Sequence, residues 1–347
     1  MSDTADSTTL DNESLAMLLE EIIAMAASGR SLVSGLADLD DGAMGKIGSA
    51  ASLVRTRIEN GEPASAAIAS LSEKYRAPIR VSMEIMAETG STQPIYETVR
   101  LIREANETRR QVQLSVVNPM FNVVVAATVT FFVLPWIMVS LSEAELIKSA
   151  FSPTPTEIWQ TFAQNFFIAG AATVAVVGLF GAMLYWNLKR SLRGSDVSQS
   201  YSTFCRWVAM RVGLPHSANA GNTEAGRVIE TAAEVAGPQF AEAWATVVEN
   251  IRRGSQTPAA LAMPKTTPEP VGQCVIDLVS GRRDGASIAL DMLRLSDLYR
   301  QTSRRRRTWW IDVVPQRVSA ILMITMIVII LRAILQPLFD VVSEVVR

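Results

Sequence analysis

The chain has 347 residues, enough for about two or three structural units at roughly 150 residues each. Apolar residues make up 49% and charged residues 19%, with mean hydropathy +0.21 and formal net charge −2, which argues against a globally basic nucleic-acid binder and most soluble enzymes. Two cysteines, Cys205 and Cys274, and one histidine, His216, leave no disulfide scaffold, no zinc-ribbon ligand set and no histidine-rich metal centre.

Residues 1–13 are acidic and rich in Ser and Thr, with no apolar stretch. They read as a disordered tail and not as a secretory signal, which needs a basic start and an apolar core. Residues 14–115 read as a first helical bundle. Ile95, Val99 and Ile102 recur at i, i+4 and i+7 and mark one apolar helix face. The run Arg57–Gly61 followed by Pro63 reads as a helix end with a glycine cap and a proline stop. The stretch Gly42–Ile47 lacks the first glycine and the Ser/Thr after lysine that a phosphate loop requires, so it is not a nucleotide site.

From residue 111 to residue 142 there is no Asp, Glu, Lys or Arg, a charge-free run of 32 residues. A second run of 31 residues covers 158–188. A helix crosses about 30 Å of hydrocarbon with about 20 residues, so 116–141 and 165–188 are expected as membrane helices joined by an outer loop at 142–164. Gly170, Ala171, Ala175, Gly178 and Gly181 permit close packing in the second of these. Residues 189–315 read as a second helical bundle, with Ile288, Met292 and Leu295 on one face and a helix end at Asn250–Gly254 followed by Pro258. His216 follows Pro215 and is expected in a solvated loop.

A third apolar stretch, 316–340, is interrupted by Arg332 and followed by a short tail at 341–347. Arg332 either snorkels to the far interface, about 10 Å of helix away, or meets a partner carboxylate or carbonyl inside a helix bundle. Arginine and lysine flank the spans on one side: Arg103, Arg109 and Arg110, then Lys189, Arg190 and Arg193, then Arg304–Arg307 and Arg317. The positive-inside rule therefore places both bundles in the cytoplasm, the N-terminus inside and the C-terminus outside. Trp309 and Trp310 fit an interfacial anchor. Both cysteines fall in the cytoplasmic segments and are expected reduced.

The two bundles repeat one plan. Gly61 to Gly90 spans 29 residues and Gly254 to Gly285 spans 31, and Gly90 to Pro119 spans 29 where Gly285 to Pro315 spans 30. Their charges oppose: residues 1–113 carry net −6 and residues 189–310 net +6, which favours contact between the bundles in one chain or between subunits. The fold expected is an all-α membrane protein of two repeated cytoplasmic bundles, about six helices each, with three transmembrane helices. Glu88 is open to three roles, as a buried carboxylate, a metal ligand or an anion at a helix start, the last being the default. Gly90 and Gly285 are expected to permit tight turns.

This order of features resembles the polytopic inner-membrane platform protein of type II secretion and type IV pilus machines, the F or PilC family. Its signature reads approximately Gly-Glu-x-Ser-Gly-x-Leu before a long helix and a proline at the membrane entrance. Gly281-Arg282-Arg283-Asp284-Gly285-Ala286-Ser287 carries both glycines, with Arg282 in place of glutamate, and Ala87-Glu88-Thr89-Gly90 keeps the glutamate but is one residue shorter. Pro119 and Pro315 match the entrance, Pro135 and Pro337 the exit. The resemblance implies a bacterial inner-membrane, multi-pass, non-enzymatic assembly platform without cofactor, catalytic residue or metal. It implies a self-associating protein that couples a cytoplasmic hexameric ATPase to insertion or extraction of pilin or pseudopilin subunits beside other inner-membrane platform proteins. Glu88, Thr89, Gly90, Gly281, Arg282 and Gly285 become candidates for partner docking, and no nucleic acid is involved. The alternative reading is a small polytopic membrane transporter or channel subunit, against which three spans and one intramembrane charge, Arg332, count.

Overall fold

A computed structural model describes residues 10–40, 45–143, 160–213, 222–309 and 313–345. Most of the expected tail 1–13 and outer loop 142–164, together with His216, Trp310 and Gly42, lie outside the described residues. Among the described residues every regular element is a helix. The chain divides into two compact units, one built from 1–109 with 196–303 and one from 110–195 with 304–347. The first unit thus draws on two separate stretches of the chain, the second of them starting at Asp196.

The N-terminal half of this first unit contains α1 (Asn12–Ala27), α2 (Leu32–Leu39), α3 (Lys46–Glu59), α4 (Ala64–Ala69), α5 (Arg76–Thr89) and the start of α6 (Gln93–Thr128). Helix α1 buries Leu15, Leu18, Leu19, Ile22 and Ile23, a stripe at i, i+3, i+4, i+7 and i+8 that forms a helix because only that period puts all five on one side. Ser31 caps α2 by accepting from the Ser34 N–H. Ile95, Val99 and Ile102 join the same core, as their spacing requires. Buried Thr98 donates to the carbonyl of Pro94 and reaches that of Pro78, tying α6 to α5.

The C-terminal half contains the end of α8 (Phe166–Val212), α9 (Asn222–Ala236), α10 (Pro238–Arg252), α11 (Pro258–Leu261), α12 (Glu269–Ser280) and most of α13 (Gly285–Thr308). Its core is aromatic. Trp244, fully buried, lies with its ring 4.6 Å from that of Phe204 and stacks on Phe240 at 5.7 Å, while Tyr201 meets Phe240 edge-on. Ser202 donates to the carbonyl of Ser296, locking α8 to α13 inside this core. Ile288 and Met292 are buried in it, and Leu295 packs against it.

Helix ends in the two halves share their hydrogen bonding. The N–H of Gly61 bonds the Ile58 carbonyl at 2.9 Å and that of Glu62 the Arg57 carbonyl at 3.0 Å. Gly254 and Ser255 repeat this to Ile251 and Asn250 at 2.9 and 3.0 Å. Both glycines have positive φ, 89° and 84°, the left-handed conformation such a double bond demands.

The second unit contains the rest of α6, a π-helical turn at Val129–Val133, α7 (Leu134–Glu143), the first part of α8 and α14 (Val314–Val345). Val123, Phe180 and Leu184 form a small cluster with Met120, Val177 and Val318 at its edge. Two stretches, Val117–Ile137 and Phe166–Trp186, are long and apolar enough to cross a membrane, with 22% and 11% of their residues buried. A core helix of a soluble protein is mostly buried, so these stretches present their apolar surface outward. The 32-residue helix α14 contains a shorter apolar segment, Gln316–Val328.

Both cysteines are buried free thiols. Burial pushes the Cys205 thiol well above the ordinary value of 9.0, and burial raises Cys274 as well. Below pH 9 the Cys205 thiol is protonated folded and unfolded; above it the unfolded thiol ionises first, so the unfolded state binds fewer protons and stability falls. A thiol reagent at pH 8 should label the native chain only on unfolding, and the alkaline loss of stability should be shallower in Cys205→Ala by up to about 1.4 kcal/mol per pH unit. Denaturant melts at stepped pH measure the slope.

Candidate functional site

The first motif ends α5. Its last residues, Glu88 and Thr89, precede Gly90, which has φ 71° and donates its N–H to the Met86 carbonyl at 2.8 Å. The Thr89 hydroxyl donates to the Ile85 carbonyl at 2.7 Å and accepts from the Ser91 N–H, so Thr89 shapes the turn. Glu88 therefore stands at the C-terminal end of a helix, not at a helix start as expected. A carboxylate there opposes the helix dipole. What holds it is the guanidinium of Arg211, with Arg227 at 4.0 Å. Arg211 lies in the last turn of α8, where a cation suits the dipole, and its side chain is only 11% exposed.

The second motif follows α12. Gly281, with φ 62°, ends that helix as Gly90 ends α5. Gly285 has no positive φ and begins α13, so the turn role expected of it belongs to Gly281. Gly285 is instead needed for closeness. A Cβ at this position would lie 3.3 Å from Val212 Cγ1 and 3.4 Å from the Val212 carbonyl oxygen. The exposed Arg282 gives its backbone N–H to the Asp277 carbonyl at 3.3 Å. Its neighbour Arg283, which sequence reasoning passed over, makes the side-chain network: 2.6 Å to Asp291 and 3.5 Å to buried Asp277. Asp277 also accepts from Gln273 at 3.0 Å. The hydrogen bond to Asp291 raises the Arg283 pKa above its ordinary value.

The two motifs thus reach the same turn of α8 from different sides, Glu88 through Arg211 and Gly285 against Val212. Around this point a seam of opposite charges joins the halves of the first unit. Glu97 receives Arg206 at 2.5 Å, Glu104 pairs with Arg300, and Arg80 reaches Glu234 at 2.7 Å. Most of these carboxylates come from the acidic half and most of the arginines from the basic half, which realises within one chain the contact that the segment charges favour. Val81 and Ile85 of α5 supply apolar contact by burying themselves in the aromatic core of the other half.

Among the described residues no group of three His, Cys, Asp or Glu gathers as a metal would need. The prolines take distinct positions. Pro119 lies buried inside α6. Pro135 follows the π turn, where the Leu134 N–H bonds Val129, a widening that accommodates a ring which would otherwise meet the carbonyl four residues back. Pro315 occupies the first turn of α14, where no helical N–H is required of it, and Pro337 lies farther along the same helix. Arg332 is exposed on α14.

The family described as Type II secretion system (T2SS), protein F matches this chain over residues 18–139 and 220–336, more than half its length. The chain belongs to that family. It is a secretion- and pilus-related protein associated with the inner membrane. No curated protein and no solved structure matches it.

Within the seam the pairs are unequal. Glu97 and Arg206 have side chains 10% and 23% exposed, so removing one leaves a poorly solvated charge with only a longer contact, Arg206 to Asp297 or Glu97 to Arg100, each at 3.7 Å. Glu97→Ala should cost about 3 kcal/mol in denaturant melts. Arg80→Ala, at the exposed pair with Glu234, should cost less than about 1 kcal/mol.

Proposed function

We propose that the chain is a non-enzymatic assembly platform with three membrane helices, the N-terminus in the cytoplasm and the C-terminus outside. The first unit forms the cytoplasmic body that docks a hexameric assembly ATPase. The helices of the second unit handle pilin or pseudopilin subunits, and the platform self-associates at the centre of a rotationally symmetric motor. Family membership supports this reading. The observation that carries it is the composition of the two units: α6 and α8 each contribute residues to both, so each helical half of the first unit is continuous in sequence with an apolar stretch.

The two halves derive from one repeated plan. The matching caps at Gly61 and Gly254, the left-handed ends at Gly90 and Gly281 and the two segments matched by one family support the repeat. The third span is α14, whose exposed Ile321, Ile324 and Val328 suit hydrocarbon. Arg332 lies about 10 Å of helix before Phe339, within reach of the far interface for a long side chain. The role proposed requires no catalytic residue, and neither half carries a nucleotide-binding or hydrolase motif.

Full-length protein in detergent should bind the cognate ATPase in pull-down, and deletion should abolish fibre assembly or secretion. Solute flux by the protein alone in liposomes would instead identify a transporter. In a Cys205→Ala, Cys274→Ala background, Ser28→Cys and Gln256→Cys should both resist an impermeant thiol reagent in intact cells while Ser343→Cys reacts. Labelling of Ser28→Cys and Gln256→Cys on opposite sides would overturn the reading.

A further inference from the structure

Four consecutive arginines, Arg304–Arg307, occupy the last turn and a half of α13. At about 100° per residue, four successive side chains sweep most of the way round a helix, so they cannot all face the protein. The structure agrees: Arg304, Arg305 and Arg306 are exposed and Arg307 is half-buried. A cation at a helix C-terminus suits the dipole, and one or two would suffice for that. Trp309, 52% exposed, follows Arg305 by four residues and Arg306 by three, the spacing that puts side chains on one helix side. Arg317 is exposed in the first turns of α14, and beyond it α14 exposes Ile321, Met323, Ile324, Ile327 and Val328.

A dense cationic run, an exposed indole and an outward apolar helix follow one another in that order along one unit. Phosphate, interface and hydrocarbon follow one another in the same order across a lipid leaflet. Clusters of four or more arginines or lysines beside a membrane helix attract anionic lipid. We propose that Arg304–Arg307 with Trp309 form a binding site for the headgroup phosphate of an anionic phospholipid in the cytoplasmic leaflet. The guanidiniums hold the phosphate oxygens by paired hydrogen bonds, and the indole seats the glycerol level of the lipid. The inference rests on α14 entering the bilayer from the cytoplasm.

The test uses the full-length chain in detergent, with phosphatidylglycerol, phosphatidylcholine and soluble glycerol phosphate as separate probes and bound lipid read by native mass spectrometry. Phosphatidylglycerol should bind at least about tenfold more tightly than phosphatidylcholine and weaken with added salt. Glycerol phosphate should compete weakly, since it lacks the chains. The pair Arg305→Gln and Arg306→Gln should lose about tenfold in phosphatidylglycerol affinity with an unchanged melting temperature. Arg305→Lys with Arg306→Lys should recover most of it. Equal binding of the two lipids, or no effect of the glutamine pair, overturns the proposal. Equal affinity for glycerol phosphate makes the site one for free phosphate and overturns it too. Cytoplasmic labelling of Ser343→Cys would show that α14 does not cross, which separates failure of the span reading from failure of the lipid site.

Discussion

Helix α5 is buried from two directions, and the motif residues around it depend on that. Ile79 and Met83 belong to the core of the N-terminal half, whereas Val81 and Ile85 belong to the aromatic core of the C-terminal half. Two residues along a helix are about 200° apart, so alternate apolar positions face opposite sides. Ser82, buried between them, satisfies its hydroxyl on the Ile79 carbonyl of its own helix. Burying Val81 and Ile85 is worth roughly 1.5–3 kcal/mol each before entropy is counted, more than exposed ion pairs supply. With α5 clamped in this way, its C-terminal end carries Glu88 to Arg211.

The charges of the seam select the contact that this burial stabilises. Buried ion pairs are seldom strongly stabilising in net terms, because desolvation offsets most of the Coulomb attraction. Their effect is directional: carboxylates at 88, 97 and 104 meet arginines at 211, 206 and 300, and a displacement would leave low-exposure Glu97 only its longer contact with Arg100 at 3.7 Å. An opposed pair of net charges thus becomes a register. It also leaves Arg282 exposed and outside the seam.

The second unit follows another logic. Its buried cluster is small, and bulky side chains such as Phe121, Trp136, Phe167 and Leu179 are exposed. Such a surface is costly in water and neutral in hydrocarbon, in keeping with the inner-membrane association of the family. The π turn before Pro135 shows how a proline is kept within a long apolar helix. One widened turn relieves the ring and preserves the backbone bonds that a lipid environment requires.

Much of this was legible in the sequence. The two charge-free runs mark the two apolar stretches, because a water-facing helix of 20 residues carries charge along its solvated side. The stripes at Ile95–Ile102 and Ile288–Leu295 identify core faces, and Gly61, Gly90 and Gly254 announce their left-handed helix ends. What the sequence could not assign were pairings over long separations. The division of labour between Gly281 and Gly285 depends on Val212 lying against one of them. Glu88 looked like a helix-start anion because its partner is 123 residues away. The alternation Ile79, Val81, Met83, Ile85 has no single-face reading on a helix, and only the presence of a core on each side explains it. Local periodicity and composition decide which residues avoid water, since each depends on near neighbours alone; which element covers them is decided by packing among distant segments, and that only the tertiary structure supplies.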